Sequence, residues 1–242
     1  MTLALQAGIF DVDGVLVDSP HEQAWREALT GFADPAGFTT AFYQANVAGK
    51  PRLEGARAAL EGLGGARAAA RTAEYAAAKQ AIINRLIEEG SFRAFPDAVD
   101  FAAALHAAGL KLALASSSRN AAAMLRHIHL PDGRALLSLF DADLSGRKVP
   151  RGKPDPALFL LAAEALSVVP AQCLVVEDAP AGIHAARNGG MAALGIARLG
   201  DEELLRGAGA DLVVTSLNRV DLNALAGGRL IALPITGDAR NA

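Results

Sequence analysis

The sequence predicts an α/β fold: a doubly wound parallel-sheet core with an all-helical cap domain inserted after its first strand. Three observations predict it. An apolar run over residues 3–10, broken by one glutamine, ends abruptly in Asp11-Val12-Asp13-Gly14, and such runs read as strands buried on both faces of a parallel sheet. Strand-like and helix-like stretches alternate through the second half of the chain, as in successive βαβ units. Between them lies a block with no convincing strand, rich in Ala, Glu and Arg.

Within that block, residues 21–32, 39–47, 52–63 and 66–89 read as helices, punctuated by Gly49-Lys50-Pro51 and by Gly64-Gly65. Residues 97–108 form the next helix, framed by Pro96 and Gly109. Residues 110–115 are a buried strand and 120–129 a helix. In 155–166, Leu158, Phe159, Leu161, Ala162 and Ala165 recur at helical spacing. Strands at 173–176, 192–196 and 212–214 alternate with helices at 181–188 and 202–208. The expected core is 1–17 with 93–242, and the expected cap is 18–92. The tail after Leu230 is weakly patterned and is expected to fray.

Composition narrows the function classes. Hydrophobic residues make up 52% of the 242, ample for a sizeable core. A net charge of -3 gives no basic footprint for nucleic acid. The single cysteine, Cys173, stands in an apolar run and reads as a buried strand residue. It permits no intramolecular disulfide, which fits a reducing compartment. The N-terminus lacks a basic n-region and a signal-peptide core, and no apolar run approaches a membrane span. The expectation is a cytoplasmic protein, a monomer or weak homo-oligomer, that binds a small molecule rather than nucleic acid or membrane.

Four short signals fall at or just beyond the ends of predicted core strands. Asp11 and Asp13 come first. Two carboxylates held together shift each other's pKa, which makes sense if a hard cation lies between them or one carries a proton. Mg²⁺ takes oxygen ligands, few carboxylates and retained waters. Ser116-Ser117-Ser118 follows the second core strand and precedes a helix, where hydroxyls and amides hold anions. Lys153, in Gly152-Lys153-Pro154-Asp155-Pro156, is a point charge suited to phosphate. Glu177-Asp178 ends the strand 173–176 and would complete an oxygen site. Singly, each has an ordinary reading as a polar turn, an N-cap or a solvated lysine. Together they place carboxylates, hydroxyl and lysine at the ends of successive strands.

These motifs, in this order over nearly the whole chain, resemble the haloacid-dehalogenase superfamily of phosphotransferases. The branch that matches best contains β-phosphoglucomutases and small sugar-phosphate phosphatases. The resemblance implies a Rossmann-like core and a small phosphate ester as substrate. Asp11 would be the nucleophile that forms an aspartyl phosphate, and Asp13 the general acid/base with its carbonyl on Mg²⁺. Ser116 and Lys153 would hold the transferring phosphoryl group. Asp178 would ligate Mg²⁺, with Glu177 beside it, so that the metal set is Asp11, Asp13, Glu177 and Asp178. The second aspartate argues against a dehalogenase. The chemistry stands on its own terms: a carboxylate nucleophile splits the transfer into two steps, and charge on the equatorial oxygens must be neutralised.

Mutase and phosphatase differ in the acceptor that attacks the aspartyl phosphate. A mutase must exclude water and hold a second anion through the cap. His21, in His-x-x-Ala-Trp, resembles the hinge-side histidine of β-phosphoglucomutases, though alone it is an ordinary helix-start residue. Arg52, after Gly49-Lys50-Pro51, resembles the cap arginine on the distal phosphate, and Arg suits a bidentate anion. Ser118-Arg119-Asn120 resembles the phosphate-binding Ser-Lys-Asn run with Arg for Lys, and Ser117 adjoins it. Lys79 aligns loosely with a substrate-contacting lysine and reads better as a solvated side chain. Ala179 replaces a common serine, and the segment from Asp18 to His21 is short for the branch. The competing reading is a catalytically silent binding protein on the same fold.

Overall fold

The computed structural model describes residues 5–234. These residues form eight strands: β1 (Ala7–Phe10), β2 (Val17–Asp18), β3 (Arg93–Ala94), β4 (Lys111–Leu114), β5 (Ala142–Asp143), β6 (Cys173–Glu177), β7 (Ala192–Ile196) and β8 (Leu212–Val214). Six of them form one parallel sheet in the order β5-β4-β1-β6-β7-β8. β1 lies inside this sheet, between β4 and β6. Phe10 is level with Leu114 on one side and Val176 on the other. The Asp11 N–H continues the ladder to the Val176 carbonyl at 3.0 Å, and the Ala115 N–H reaches the Phe10 carbonyl at 2.8 Å. The chain therefore leaves three adjacent strands at one level, and the residues that follow them meet.

Both faces of the sheet are covered, as the unbroken apolar strands require. Alternate residues of β1 feed opposite layers. Phe10 packs with Phe101, Leu114, Met124 and Val176. Ile9 packs with Phe159, Val175, Ile183 and Ala193 on the other face. Cys173 is free and buried in the second layer, as its run implied. No helix among the described residues is long and apolar enough to cross a membrane.

Between β2 and β3 the described chain is wholly helical: His21–Ala28, Pro35–Gly37 (a single tight turn), Thr40–Asn46, Arg52–Leu63, Gly65–Ala69 and Thr72–Glu88. These segments bury a core of their own, with Trp25, Leu29, Phe38, Leu60 and Tyr75. The Tyr75 hydroxyl donates to the Trp25 carbonyl at 2.8 Å, satisfying the one polar atom that this aromatic buries.

Several expected elements differ in extent. The first helix stops at Ala28, before Gly31 with φ 86°. The helix expected over 66–89 divides at Ala70-Arg71, where the Arg71 guanidinium is anchored to the Gly31 carbonyl at 3.0 Å and lies 4.2 Å over the Phe32 ring. The helix expected over 120–129 shrinks to Ala121–Leu125, because the chain turns back so that the Leu136 N–H can reach the Ile128 carbonyl. β2, β3 and β5 have two residues each, too short to show a period, and were not expected. The tail does not fray directly after Leu230: Asp221 N–H donates to Ile231 O at 3.0 Å and Leu233 N–H to Arg219 O at 2.7 Å. Residues 235–242 lie outside the described residues.

Candidate active site

Lys153 is the most deeply buried cation at the strand ends, with no exposed surface. Its ammonium donates to Asp11 Oδ1 at 2.5 Å and to Glu177 Oε1 at 2.6 Å. The other Glu177 oxygen accepts the Asp178 and Ala179 N–H groups at 3.0 and 3.1 Å. Gly182 makes room for this carboxylate: a Cβ there would lie 1.8 Å from Glu177 Oε1. Both oxygens of Glu177 are thus engaged, so it faces the lysine.

Burial pushes Asp11 up to about 7. The Lys153 ammonium pulls the other way, and the Glu177 and Asp13 carboxylates add to the rise. Burial likewise raises Asp178 well above the usual carboxylate range, reinforced by Glu177 and Asp11 and opposed by Lys153. Asp178 has no ion-pair partner among the described residues. Its carboxylate approaches Gly14, whose φ is 81° and where a Cβ would meet Asp178 Oδ2 at 1.9 Å. Glycine is needed there on both counts.

Asp13 sits in a tight loop in which Leu16 and Val17 N–H groups both reach Val12 O and Gly14 N–H reaches Val17 O. Its Oδ1 lies 3.3 Å from His21 Nε2, a contact short of full hydrogen-bond geometry. Burial alone would raise Asp13, but His21, Ser19 and Lys79 overcome it and hold the carboxyl down to about 2. Burial lowers the His21 pKa, opposed by the Asp13 carboxylate and reinforced by Lys79.

Lys79 corrects the expectation of a solvated side chain. It is 3% exposed, 2.5 Å from His21 Nδ1 and 5.0 Å above the Trp25 ring. Burial pulls its pKa down to about 7, Asp13 opposes this, and Arg52 adds to it. His21 also lies 3.3 Å from Ser118 Oγ, so the histidine joins the helical block to the serine loop.

Ser116 is buried, and its Oγ accepts the Ser118 N–H at 3.1 Å. Ser117 Oγ donates to the Gly49 carbonyl at 3.3 Å. Asn120 accepts from Gln80 Nε2 at 3.2 Å, and Gln80 Oε1 takes a hydrogen bond from Arg52. Arg119 and Arg52 are exposed at the rim. All the residues singled out in the sequence except Lys153 and Glu177 line one cleft of about 410 Å³. Those two lie directly behind Asp11. The cleft wall also includes Tyr43, Lys50, Arg147 and Lys148, which the sequence reading missed. Burial raises the Tyr43 phenol well above its ordinary value, and Asp178 and Asp13 add to the effect. Tyr43 lies within a helix, and Arg147-Lys148 within a loop without periodicity. Only the folded cleft reveals either.

The donor chemistry suits a hard divalent cation. Asp11 and Asp178 are crowded carboxylates that favour protons for want of positive charge, and a cation would meet that need. No three acidic, His or Cys side chains among the described residues form a ready-made cage. An ion that accepts few side chains and keeps its waters fits better than one needing an all-protein cage.

A family model described as haloacid dehalogenase-like hydrolase matches residues 5–190. The chain belongs to that family. The resemblance drawn from the motifs is borne out, and with it an enzyme of the phosphatase or phosphomutase kind. The chain is 34% identical to a β-phosphoglucomutase of Bacillus subtilis, over 91% of this chain and 94% of the relative. It is 30% identical to a phosphorylated carbohydrates phosphatase of Thermotoga maritima, over 87% and 94% respectively. The solved structure of an archaeal β-phosphoglucomutase from a hyperthermophilic Pyrococcus superposes with a TM-score of 0.72 at 33% identity. That match covers 92% of this chain and 99% of that one.

Proposed function

We propose that the protein transfers the phosphoryl group of a small phosphorylated metabolite, a sugar phosphate, through an aspartyl phosphate on Asp11, with Mg²⁺ as cofactor. The observation that carries the reading is the buried Lys153 ammonium 2.5 Å from Asp11 Oδ1, at the head of a cleft shared by Asp11, Asp13, Ser116 and Asp178. Asp11 attacks phosphorus in line and releases the sugar oxygen. Lys153 opposes the burial that favours a proton on Asp11 and offsets charge on the arriving phosphate. Ser116 and the amides that follow it aim dipoles at the phosphoryl oxygens. Asp13 gives a proton to the departing oxygen and takes one from the next acceptor. Held low by His21 and Lys79, it is poised as the base. An anionic phosphate beside it raises its affinity for the proton that it must donate.

Asp11, Asp178 and the Asp13 carbonyl are the groups that would hold Mg²⁺. A bound Mg²⁺ offsets the repulsion between the Asp11 carboxylate and the phosphate. Glu177, with both oxygens engaged, positions Lys153. We take residues 18–92 as the cap. Its loop at 49–52 rests on the core, with Ser117 Oγ bonded to Gly49 O and a Cβ on Gly152 falling 2.0 Å from the Pro51 ring.

A mutase outcome is favoured by Arg52, which stands at the cleft wall on the cap side and, among the described residues, bonds only the neutral Gln80. It is free to take a distal anion bidentately. The test is a Mg²⁺-dependent phosphate-ester screen, with and without a sugar 1,6-bisphosphate primer, on wild type and Arg52→Ala. Selective loss of sugar 1-phosphate isomerisation in the variant supports the mutase. Brisk hydrolysis of several esters without isomerisation by wild type supports a phosphatase. No turnover of any ester supports a silent binding protein and defeats the proposal.

A further inference from the structure

Arg198 follows the end of β7, away from the cleft lining, and none of the chemistry above uses it. We propose that Arg198 is a positioning residue, which clamps the Asp13 loop so that the Asp13 carboxyl is aimed at the leaving oxygen. The inference rests on the phosphoryl-transfer reading for its effect on catalysis, but not for the clamp itself.

The guanidinium is held as a fork. Nη1 and Nη2 donate to the two oxygens of Asp97, both at 2.9 Å. Asp97 is fixed in turn by the Ser216 hydroxyl at 2.9 Å and the Leu217 N–H at 2.8 Å. The face of the guanidinium lies 4.0 Å over the Phe95 ring. Planar stacking and bidentate pairing both require Arg, not merely a positive charge. From this anchored position Nη2 also reaches the Val15 carbonyl at 3.3 Å.

Val15 is two residues after Asp13, in the loop closed by the Gly14–Val17 and Val12–Val17 hydrogen bonds. The next carbonyl, Leu16, accepts the Phe95 N–H at 2.9 Å. One side of the loop is therefore tied to Arg198 and to the segment returning from the helical block. The other side presses on Asp178 through Gly14, where no side chain fits. The loop is gripped between the ends of β6 and β7, and Asp13 rides on it. Val12, Val15, Leu16 and Val17 bury their side chains in the core, so without Arg198 the loop stays seated but loses the tie at the Val15 carbonyl, while the sheet still holds Asp11 through Val176.

Displacing a general acid harms poor leaving groups far more than good ones. Arg198→Met and Arg198→Lys are to be compared with wild type on alkyl, phenyl and 4-nitrophenyl phosphates. A displacement of about 1 Å can cost on the order of a hundredfold. The expected result is a loss of at least about tenfold in kcat/KM on the alkyl ester, with a much smaller loss on the nitrophenyl ester. Arg198→Lys should rescue little, since it lacks the fork. A purely structural role would lower all three esters together, and an equal loss overturns the proposal. Amide hydrogen exchange reads the clamp without activity. Gly14 and Val17 amides should lose protection in Arg198→Met while the β1 and β6 amides keep theirs, and unchanged Gly14 and Val17 protection overturns the clamp. If wild type turns over no ester, the phosphoryl-transfer reading fails, and exchange alone decides the clamp.

Discussion

Replacing Lys153 by Met removes the ammonium between Asp11 and Glu177 while keeping much of the side-chain volume. The lysine is wholly buried, and its two partners are nearly so. Removing one member of a buried ion pair costs about 3–5 kcal/mol, because a desolvated charge is left unpaired. That is a large share of the ~5–15 kcal/mol that holds a typical domain together. The carboxylates can escape part of the cost by taking protons, so the cost depends on pH. Asp11 already titrates at about 7 with Lys153 beside it. Without the lysine its folded pKa rises further. A folded pKa above the unfolded one contributes stability that is complete below the unfolded pKa and lost as pH rises through the folded pKa. The wild type completes that loss just above pH 7, whereas the variant continues to lose stability beyond it. The gap between them should widen above neutral pH by about 1.4 kcal/mol per pH unit for this one carboxyl. Urea melts of both proteins, with chelator present so that no cation stands in for the lysine, measure the gap at about pH 6 and about pH 8.5. A gap that is equal at the two pH values would refute the reasoning. So would a variant as stable as wild type at the higher pH.

Asp11→Asn should abolish turnover while the protein remains folded, since an amide cannot form the aspartyl phosphate. Beryllium or aluminium fluoride should lodge on Asp11 in wild type only. Asp178→Ala should weaken Mg²⁺ affinity and turnover in parallel, with chelation silencing wild type; unchanged Mg²⁺ affinity by calorimetry would remove Asp178 from the metal set. For Asp97, burial raises the pKa, but the Arg198 hydrogen bonds, the Leu217 N–H and Ser216 overcome it and leave the carboxyl below the usual range. Its stabilising contribution is present above the unfolded pKa and lost as pH falls through the folded one. Asp97→Asn should therefore lower the urea midpoint at neutral pH and show a shallower acid limb than wild type.

The fold was legible where the chain is buried on both faces. β1 and β7 are wholly apolar and β6 is apolar up to Glu177, because a central parallel strand has no solvent side to mark with polar residues; β4 carries an exposed Lys111 at its start, and the edge strand β8 is apolar but only partly buried. The two-residue strands were not legible. β2 and β3 exist because the two chain crossings lie side by side, with Val17 opposite Ala94 and Asp18 opposite Arg93. That pairing joins residues distant in sequence and leaves no local pattern. The burial of Lys79 was hidden for a related reason. Its neighbours at helical spacing are ordinary. The decisive partner is His21, one helix away, which takes the ammonium at 2.5 Å. Lys153 lies in a loop before the helix Ala157–Ala165, whereas Asp11, Asp13, Ser116 and Asp178 were legible together because each interrupts an apolar pattern just past a strand end. Their convergence then follows from strand order alone.

The placement of charge explains why one chain needs both a sheet and a helical block. The cleft floor carries Asp11, Asp13 and Asp178, a concentration of negative charge that repels a phosphate. Lys153, the one wholly buried cation among the described residues, is already shared between Asp11 and Glu177. Further positive charge must come from the walls, and it does: Lys79 and Arg52 from the helical block, Arg119 and Lys148 from core loops. A phosphate ester entering the cleft would meet the exposed Arg52, Arg119 and Lys148 first, and the buried Lys79 only beside the carboxylates. Lys79 illustrates the cost of that arrangement. With a pKa drawn down to about 7 by burial, it is poised between charged and neutral. An arriving dianion favours the ammonium, so substrate binding itself should draw a proton onto the cap. The helical block is then not a passive lid: the charge that makes the carboxylate floor habitable for phosphate is assembled only when both parts and the substrate are in place.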